Sequence, residues 1–346
     1  MQNTIWVYLL TAAFLLPFYS CDNELNVAAD WEEIAVIYSA LNPTDDTNYV
    51  RIQRAFLDES QSAFKFLNDP DSLYYDTLEV YIEEYSNGNF SKKIDLRLID
   101  GNDVGIEKDT GVFYSDTNPL YFTDEEIRPS TFTTDISYYI TVTNPKTGYT
   151  CRSSTESVGQ AEVYNPINNT SSRTIQPKSN DDNRVYVNFK EGKYVRAYTL
   201  DMTIRVEETD TSGAQKKEIK TVNWRMVNLG KTQRIQGFED KIYLVPSVNF
   251  FSALSSQLEA NPNIERRLVD YDLTFYGVSD DFNTYLSVSR PSIGIVQKKP
   301  EFTNVENGLG LFTSRYITRF ENRIFDPSTV IEIQLSENTS NLNFVK

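Results

Sequence analysis

The chain has 346 residues and a net charge of −16, with 40% hydrophobic residues that include 22 Tyr and 20 Phe. That composition supports a packed core and excludes disorder as the default state, while the acidic surface disfavours nucleic acid and anionic headgroups as partners. The histidine count is zero, which removes Ser-His-Asp, Cys-His and His-based acid/base schemes as well as His-containing zinc and non-haem iron sites. Besides Cys21 there is one cysteine, Cys151, so the core has no disulfide framework to lean on. No cofactor is implied, and any metal would be a hard, oxygen-ligated cation.

Residues Met1 to Cys21 carry no charged side chain, and Ile5 to Phe18 form an apolar run broken by Thr11 and Pro17. The run is short for a membrane span and reads as the hydrophobic region of an export signal. Ser20-Cys21 at its end, followed by Asp22 and Glu24, resembles the lipobox of bacterial lipoproteins. That resemblance implies a signal peptide over 1–20, lipid attachment at Cys21 and an acidic tether over 21–33. The alternative is an ordinary secretory signal with Cys21 incidental. Two or more acyl chains give stable membrane attachment, which a single chain does not.

Strands are predicted over Ile34 to Leu41 and Tyr49 to Leu57, with a short helical turn over Ser62 to Leu67. Leu78, Val80 and Ile82 alternate with Glu79, Tyr81 and Glu83 up to Asn87-Gly88, a strong hairpin signal. The return strand is predicted to place Phe90, Ile94, Leu96 and Leu98 on one face. Phe132, Ile136, Tyr138, Ile140 and Val142 mark another strand, and Asn144-Pro145-Lys146-Thr147-Gly148 turns it into the strand holding Cys151. Five or more strands without a long helix predict an immunoglobulin-like antiparallel β-sandwich over 34–165. The segment 166–183, rich in Asn, Ser, Thr and Pro, reads as a linker.

A second β-rich domain, of α+β type, is predicted over 184–346. Val185, Val187 and Phe189 form a strand, and a long strand follows with Tyr194, Tyr198, Leu200, Met202, Ile204 and Val206 on one face. Its partner carries Val222, Trp224 and Met226. Two short helices are predicted near 247–260, with Ser247 as N-cap, and near 280–289, with a strand from Leu268 to Tyr276 between them. Asn307-Gly308 and Gly310 read as a sharp bend.

Candidate chemistry is sparse. Ser62-x-x-Lys65, Tyr85-Ser86-Asn87 and Lys146-Thr147-Gly148 resemble the serine–lysine apparatus of penicillin-binding proteins, but the helical domain which that apparatus requires has no counterpart. Asp100, Asn102 and Asp103 form a loose calcium candidate; Val104 and Gly111 stand where an EF-hand loop needs ligands. A carboxylate-based hydrolase is the enzymatic alternative, with 49 Asp and Glu available, and Tyr and Phe could form a sugar platform. The reading of the residues is a protein that acts by binding and not by catalysis.

Several stretches together resemble a family of uncharacterised Bacteroidota lipoproteins. They are Ala35-Val36-Ile37-Tyr38, Tyr49 to Leu57, Asp71-Ser72-Leu73-Tyr74-Tyr75, and the segment from Lys299 to Phe312 containing Phe302, Thr303, Asn304, Asn307, Gly308, Gly310 and Phe312. The resemblance assigns no activity and no role to those residues. It implies an outer-membrane lipoprotein, often exposed on the cell surface and associated with a TonB-dependent outer-membrane protein. Capture of a glycan or peptide is the alternative role.

Overall fold

A computed structural model of the protein describes residues 33–55, 73–108, 117–166, 174–180, 182–213, 215–230, 233–234, 241–289 and 301–346. Cys21, the signal and tether residues before Glu33, and the predicted turn over Ser62 to Leu67 lie outside the described residues.

The fold is mainly β. The first half supplies β1 (Ala35–Leu41), β2 (Asn48–Arg54), β3 (Glu79–Ser86), β4 (Asn89–Asp95), β5 (Arg97–Asp100), β6 (Pro119–Thr123), β7 (Ile136–Thr143), β8 (Thr150–Glu156) and β9 (Glu162–Asn165). The second half supplies β10 (Arg184–Lys190), β11 (Ala197–Asp210), β12 (Lys217–Gly230), β13 (Gln233–Arg234), β14 (Lys241–Pro246), β15 (Ile264–Val278) and β16 (Gly308–Arg323). Helices α1 (Val248–Gln257) and α2 (Asp280–Ser289) flank β15, and α3 (Thr329–Leu335) follows β16.

One eight-stranded sheet runs through both halves in the order β12-β11-β15-β16-β1-β2-β6-β5. Two four-stranded sheets, β4-β3-β7-β8 and β13-β14-β10-β9, complete the layers. The first core lies between the β4-β3-β7-β8 sheet and the β1 end of the large sheet, with Ile37, Ile52, Ile82, Ile94, Tyr138 and Ile140 buried there. Alternation along each strand causes this, since side chains two apart share a face. The second core gathers Leu200, Met202 and Ile204 of β11, Phe275 of β15, Phe189 of β10, and Phe250 and Leu254 of α1. Phe189 centres an aromatic cluster, its ring 5.2 Å from Tyr198, 5.3 Å from Tyr243 and 5.2 Å from Phe275. Ile175, from the segment predicted as linker, is buried in this core.

Several expectations need correction. Tyr194 does not continue the apolar face of β11; it sits before the strand at φ 59° and is 38% exposed. Ser247 stands at the N-cap position of α1 as expected, but its side chain makes no capping hydrogen bond. Phe90 and Leu98 are exposed, unlike Ile94 and Leu96. A register shift between Glu84 and Tyr85 turns Phe90 outward beside Tyr85, and the chain changes sheets between Asp95 and Arg97.

The largest correction concerns Gly308 and Gly310, which lie inside a 16-residue strand and not at a sharp bend. Residues Gly308 to Ser314 of β16 pair in parallel with β1, Ala35 opposite Gly308 and Leu41 opposite Ser314. Residues Arg315 to Arg323 then pair antiparallel with β15. Gly310 has φ +105°, and a Cβ there would run into the Ile37 carbonyl. Gly310→Ala is therefore expected to cost about 2–4 kcal/mol, through strain and displacement of β1. Gly88→Ala, at φ +78° in the hairpin turn with open space around it, serves as the control at about 1 kcal/mol. Urea denaturation of the two variants separates them; equal losses would contradict the close approach of β1.

Candidate functional site

Strands β3 and β7 are the two inner strands of the β4-β3-β7-β8 sheet. Their inward residues fill the first core, so the alternate residues form its outer face. Register brings Tyr85 opposite Ser137, Glu83 opposite Tyr139 and Tyr81 opposite Thr141, with Arg152 of β8 next to Thr141. These residues, with Gly88 of the hairpin turn, line a groove of about 440 Å³.

The aromatic rings do not lie flat in one plane. Tyr85 and Tyr139 meet edge to face, with centroids 5.1 Å apart and planes at 70°. Phe90 also meets Tyr85 edge to face, at 5.8 Å and 79°. The Lys93 ammonium sits over the Tyr81 ring, 4.2 Å from its centroid, and pairs with Asp95 at 2.7 Å. Tyr139 is 44% exposed and Phe90 56%. The groove thus offers an aromatic corner, one carboxylate (Glu83), one guanidinium (Arg152) and the hydroxyl of Ser137. That set suits recognition by stacking and hydrogen bonding.

Beneath the groove, Glu84 points inward and is fully buried. Its carboxylate accepts from Arg128 Nε at 3.1 and 3.3 Å, from Arg128 Nη2, and from the Tyr138 hydroxyl at 2.8 Å. Arg128 Nη2 also donates to Ser91 Oγ at 3.1 Å. Burial by itself would raise the Glu84 pKa; the hydrogen bonds from Arg128, Tyr138 and Ser91 outweigh it and hold the carboxyl below the ordinary range. This network pins β3 at the bulge that sets Tyr85 and Phe90.

The residues singled out in the sequence go elsewhere. Asp100 caps the short turn Gly101–Val104, accepting from the backbone amides of Asn102 at 3.0 Å and Asn118 at 3.2 Å, while Asn102 and Asp103 are exposed. Among the described residues no group of three or more Asp, Glu, Cys or His is arranged to hold a metal. Ser62, Lys65 and Gly111 lie outside the described residues. Ser86 pairs with Ile136 at one end of β3 and β7, whereas Lys146 and Thr147 follow the other end, so those two triplets do not converge. Lys146 pairs with Asp76 at 2.7 Å, and Thr147 donates to Glu33 at 2.6 Å. Cys151 lies on β8 facing the first core, and burial pushes its thiol up to about 11, which makes it inert. Asp270 and Asp272 are both engaged by Arg205, which holds the Asp272 carboxyl below the usual range.

The segment from Phe302 to Phe312 is a latch. The Asn304 side chain accepts from the Phe312 amide at 3.0 Å and donates to the Phe312 carbonyl at 2.8 Å and to Asp281 at 2.9 Å. Thr303 Oγ1 accepts from the Val305 amide, and Phe302 is half-buried. Asn307, at φ 53°, donates to the Thr150 carbonyl at 2.7 Å, and Glu306 pairs with Arg152 as a β-bridge. These residues cover the edge of β8 and feed the chain into β16, with Phe312 buried in the first core. Their observed roles are architectural.

Sequence reasoning missed the groove. Its trace was Tyr81, Glu83 and Tyr85 on the polar phase of an alternating strand, where three long side chains in a row exceed what a plain solvent face needs. No known family model matches the chain, and no curated protein matches it.

Glu84→Gln is expected to cost about 2–3 kcal/mol at neutral pH, because Arg128 loses its buried counter-charge. A depressed carboxyl contributes stability that is fully present above its unfolded pKa and is lost as pH falls through its lower folded value. The gap between wild type and variant should therefore narrow from pH 7 to pH 3 in urea titrations. A constant gap would contradict an ionised Glu84.

Proposed function

We propose that this protein is a lipid-anchored accessory of an outer-membrane protein complex, acting by binding, with the Tyr85–Tyr139 groove as its ligand face. The observation that carries the binding face is the aromatic corner on the outer sheet, flanked by Glu83 and Arg152 within one groove. A folded sheet gains nothing in its core from rings placed there, since the inward residues already fill it.

The anchor rests on the apolar run ending at Cys21 and on the acidic residues after it. An acidic chain gains no electrostatic attraction to anionic headgroups, so the acyl chains would supply the attachment. The association with a TonB-dependent outer-membrane protein, on the cell surface or facing the periplasm, rests on the resemblance of Lys299 to Phe312 and the earlier stretches to Bacteroidota lipoproteins.

Two measurements test this. Cys21→Ala should move the protein from the membrane to the soluble fraction, and unchanged fractionation refutes the anchor. Affinity purification from detergent-solubilised outer membrane should recover a β-barrel protein in stoichiometric amount; recovery of the chain alone refutes the accessory role.

A further inference from the structure

We infer that the groove on the outer face of β3, β7 and β8 takes a neutral oligosaccharide, an inference that rests on the proposed reading of this face as the ligand face. A sugar ring presents an apolar C–H face bordered by hydroxyls. Its complement is an aromatic face bordered by acceptors and donors. Tyr85 and Tyr139, set at 70° and 5.1 Å, form such a corner. Glu83 stands opposite Tyr139 in the register as an acceptor, Ser137 opposite Tyr85 as donor and acceptor, and Arg152 beside Thr141 as a donor.

Size favours an oligomer over a single sugar. Tyr81, Glu83 and Tyr85 stand at alternate positions of β3, so the outer row spans roughly 13 Å at the rise of an extended strand. The groove along this row encloses about 440 Å³.

Other ligand classes fit less well. Both inner strands are hydrogen-bonded on both sides, β3 to β4 and β7 and β7 to β3 and β8, so this face has no backbone edge for adding a peptide strand. A purely apolar ligand would bury Glu83 and Arg152 without partners. Anionic glycans meet a net charge of −16, with Glu83, Asp95 and Glu156 on strands of this sheet, and the Lys93 ammonium is already paired with Asp95.

The test uses the full-length protein in detergent on a glycan array carrying neutral hexose and pentose oligosaccharides together with sulfated and uronate oligosaccharides, followed by calorimetry on the best binder. Neutral oligosaccharides should bind. Tyr139→Ala and Tyr85→Ala should each weaken binding about tenfold, the scale of a lost aromatic anchor. Tyr85→Phe should retain most of it, and Tyr186→Ala, an exposed tyrosine on β10, should leave it unchanged. Thermal melts confirm that each variant is folded. Absence of neutral-glycan binding, tighter binding of anionic glycans, or wild-type affinity in folded Tyr139→Ala overturns the inference. A chain that keeps its outer-membrane partner but binds no neutral glycan overturns this inference alone and leaves the accessory role standing.

Discussion

Strand β16 is paired with β1 over residues Gly308 to Ser314 and with β15 from Arg315 to Arg323, so a single strand carries the hydrogen bonding from one core to the other. The transfer falls on Thr313 and Ser314, both fully buried, and their polar atoms are satisfied. Thr313 shares a hydrogen bond with Ser279 at 2.6 Å, and Ser314 Oγ accepts from the Val158 amide at 3.1 Å while bonding the Glu156 carbonyl. Buried polar atoms are tolerated only when paired this way. Phe312, one residue before, fills the first core, where full burial of its ring contributes about 1.5–3 kcal/mol. The N-terminal sandwich is thus completed by Val305 and Gly308 to Ser314, which follow it in the chain only after the whole of β10 to β15.

That dependence explains which parts of the fold were legible in the sequence. The hairpin of β3 and β4 was, because Asn87 and Gly88 supply the two positive-φ positions of its turn. Helices α1 and α2 were, because Phe250, Leu254 and Leu258 repeat at helical spacing and Ser279 Oγ caps α2 at Phe282. Strand β16 was not. Gly310 through Ser314 are all buried, so the period-two signal is erased, and Gly308 and Gly310, which would mark a turn elsewhere, here admit the Ala35 and Ile37 carbonyls. The short helix α3 was missed too, being seven residues long with no side-chain cap at Ser328.

The candidate groove was hidden for a different reason. Alternation in β3 predicts which residues leave the core, but it says nothing about which neighbours they meet. Tyr85 finds Phe90 only because of the register shift after Glu84, and it finds Tyr139 only through the β3–β7 pairing. The ion pair between fully buried Glu84 and partly exposed Arg128 sits under that shift, joining β3 to the loop before β7. A buried ion pair is weak support for stability but a good device for fixing register. Here it holds the strand whose outer residues Tyr81, Glu83 and Tyr85 line the groove, which ties the inner electrostatics to the geometry of the outer face.

The most direct measurement follows from the role of β16. Residues 22–166, expressed alone, lack Phe312, Val305 and the parallel partner of β1. With that partner essential, the fragment shows no cooperative urea transition, while the full-length chain does. A sharp, reversible transition in the isolated fragment would contradict the dependence of the N-terminal sandwich on β16.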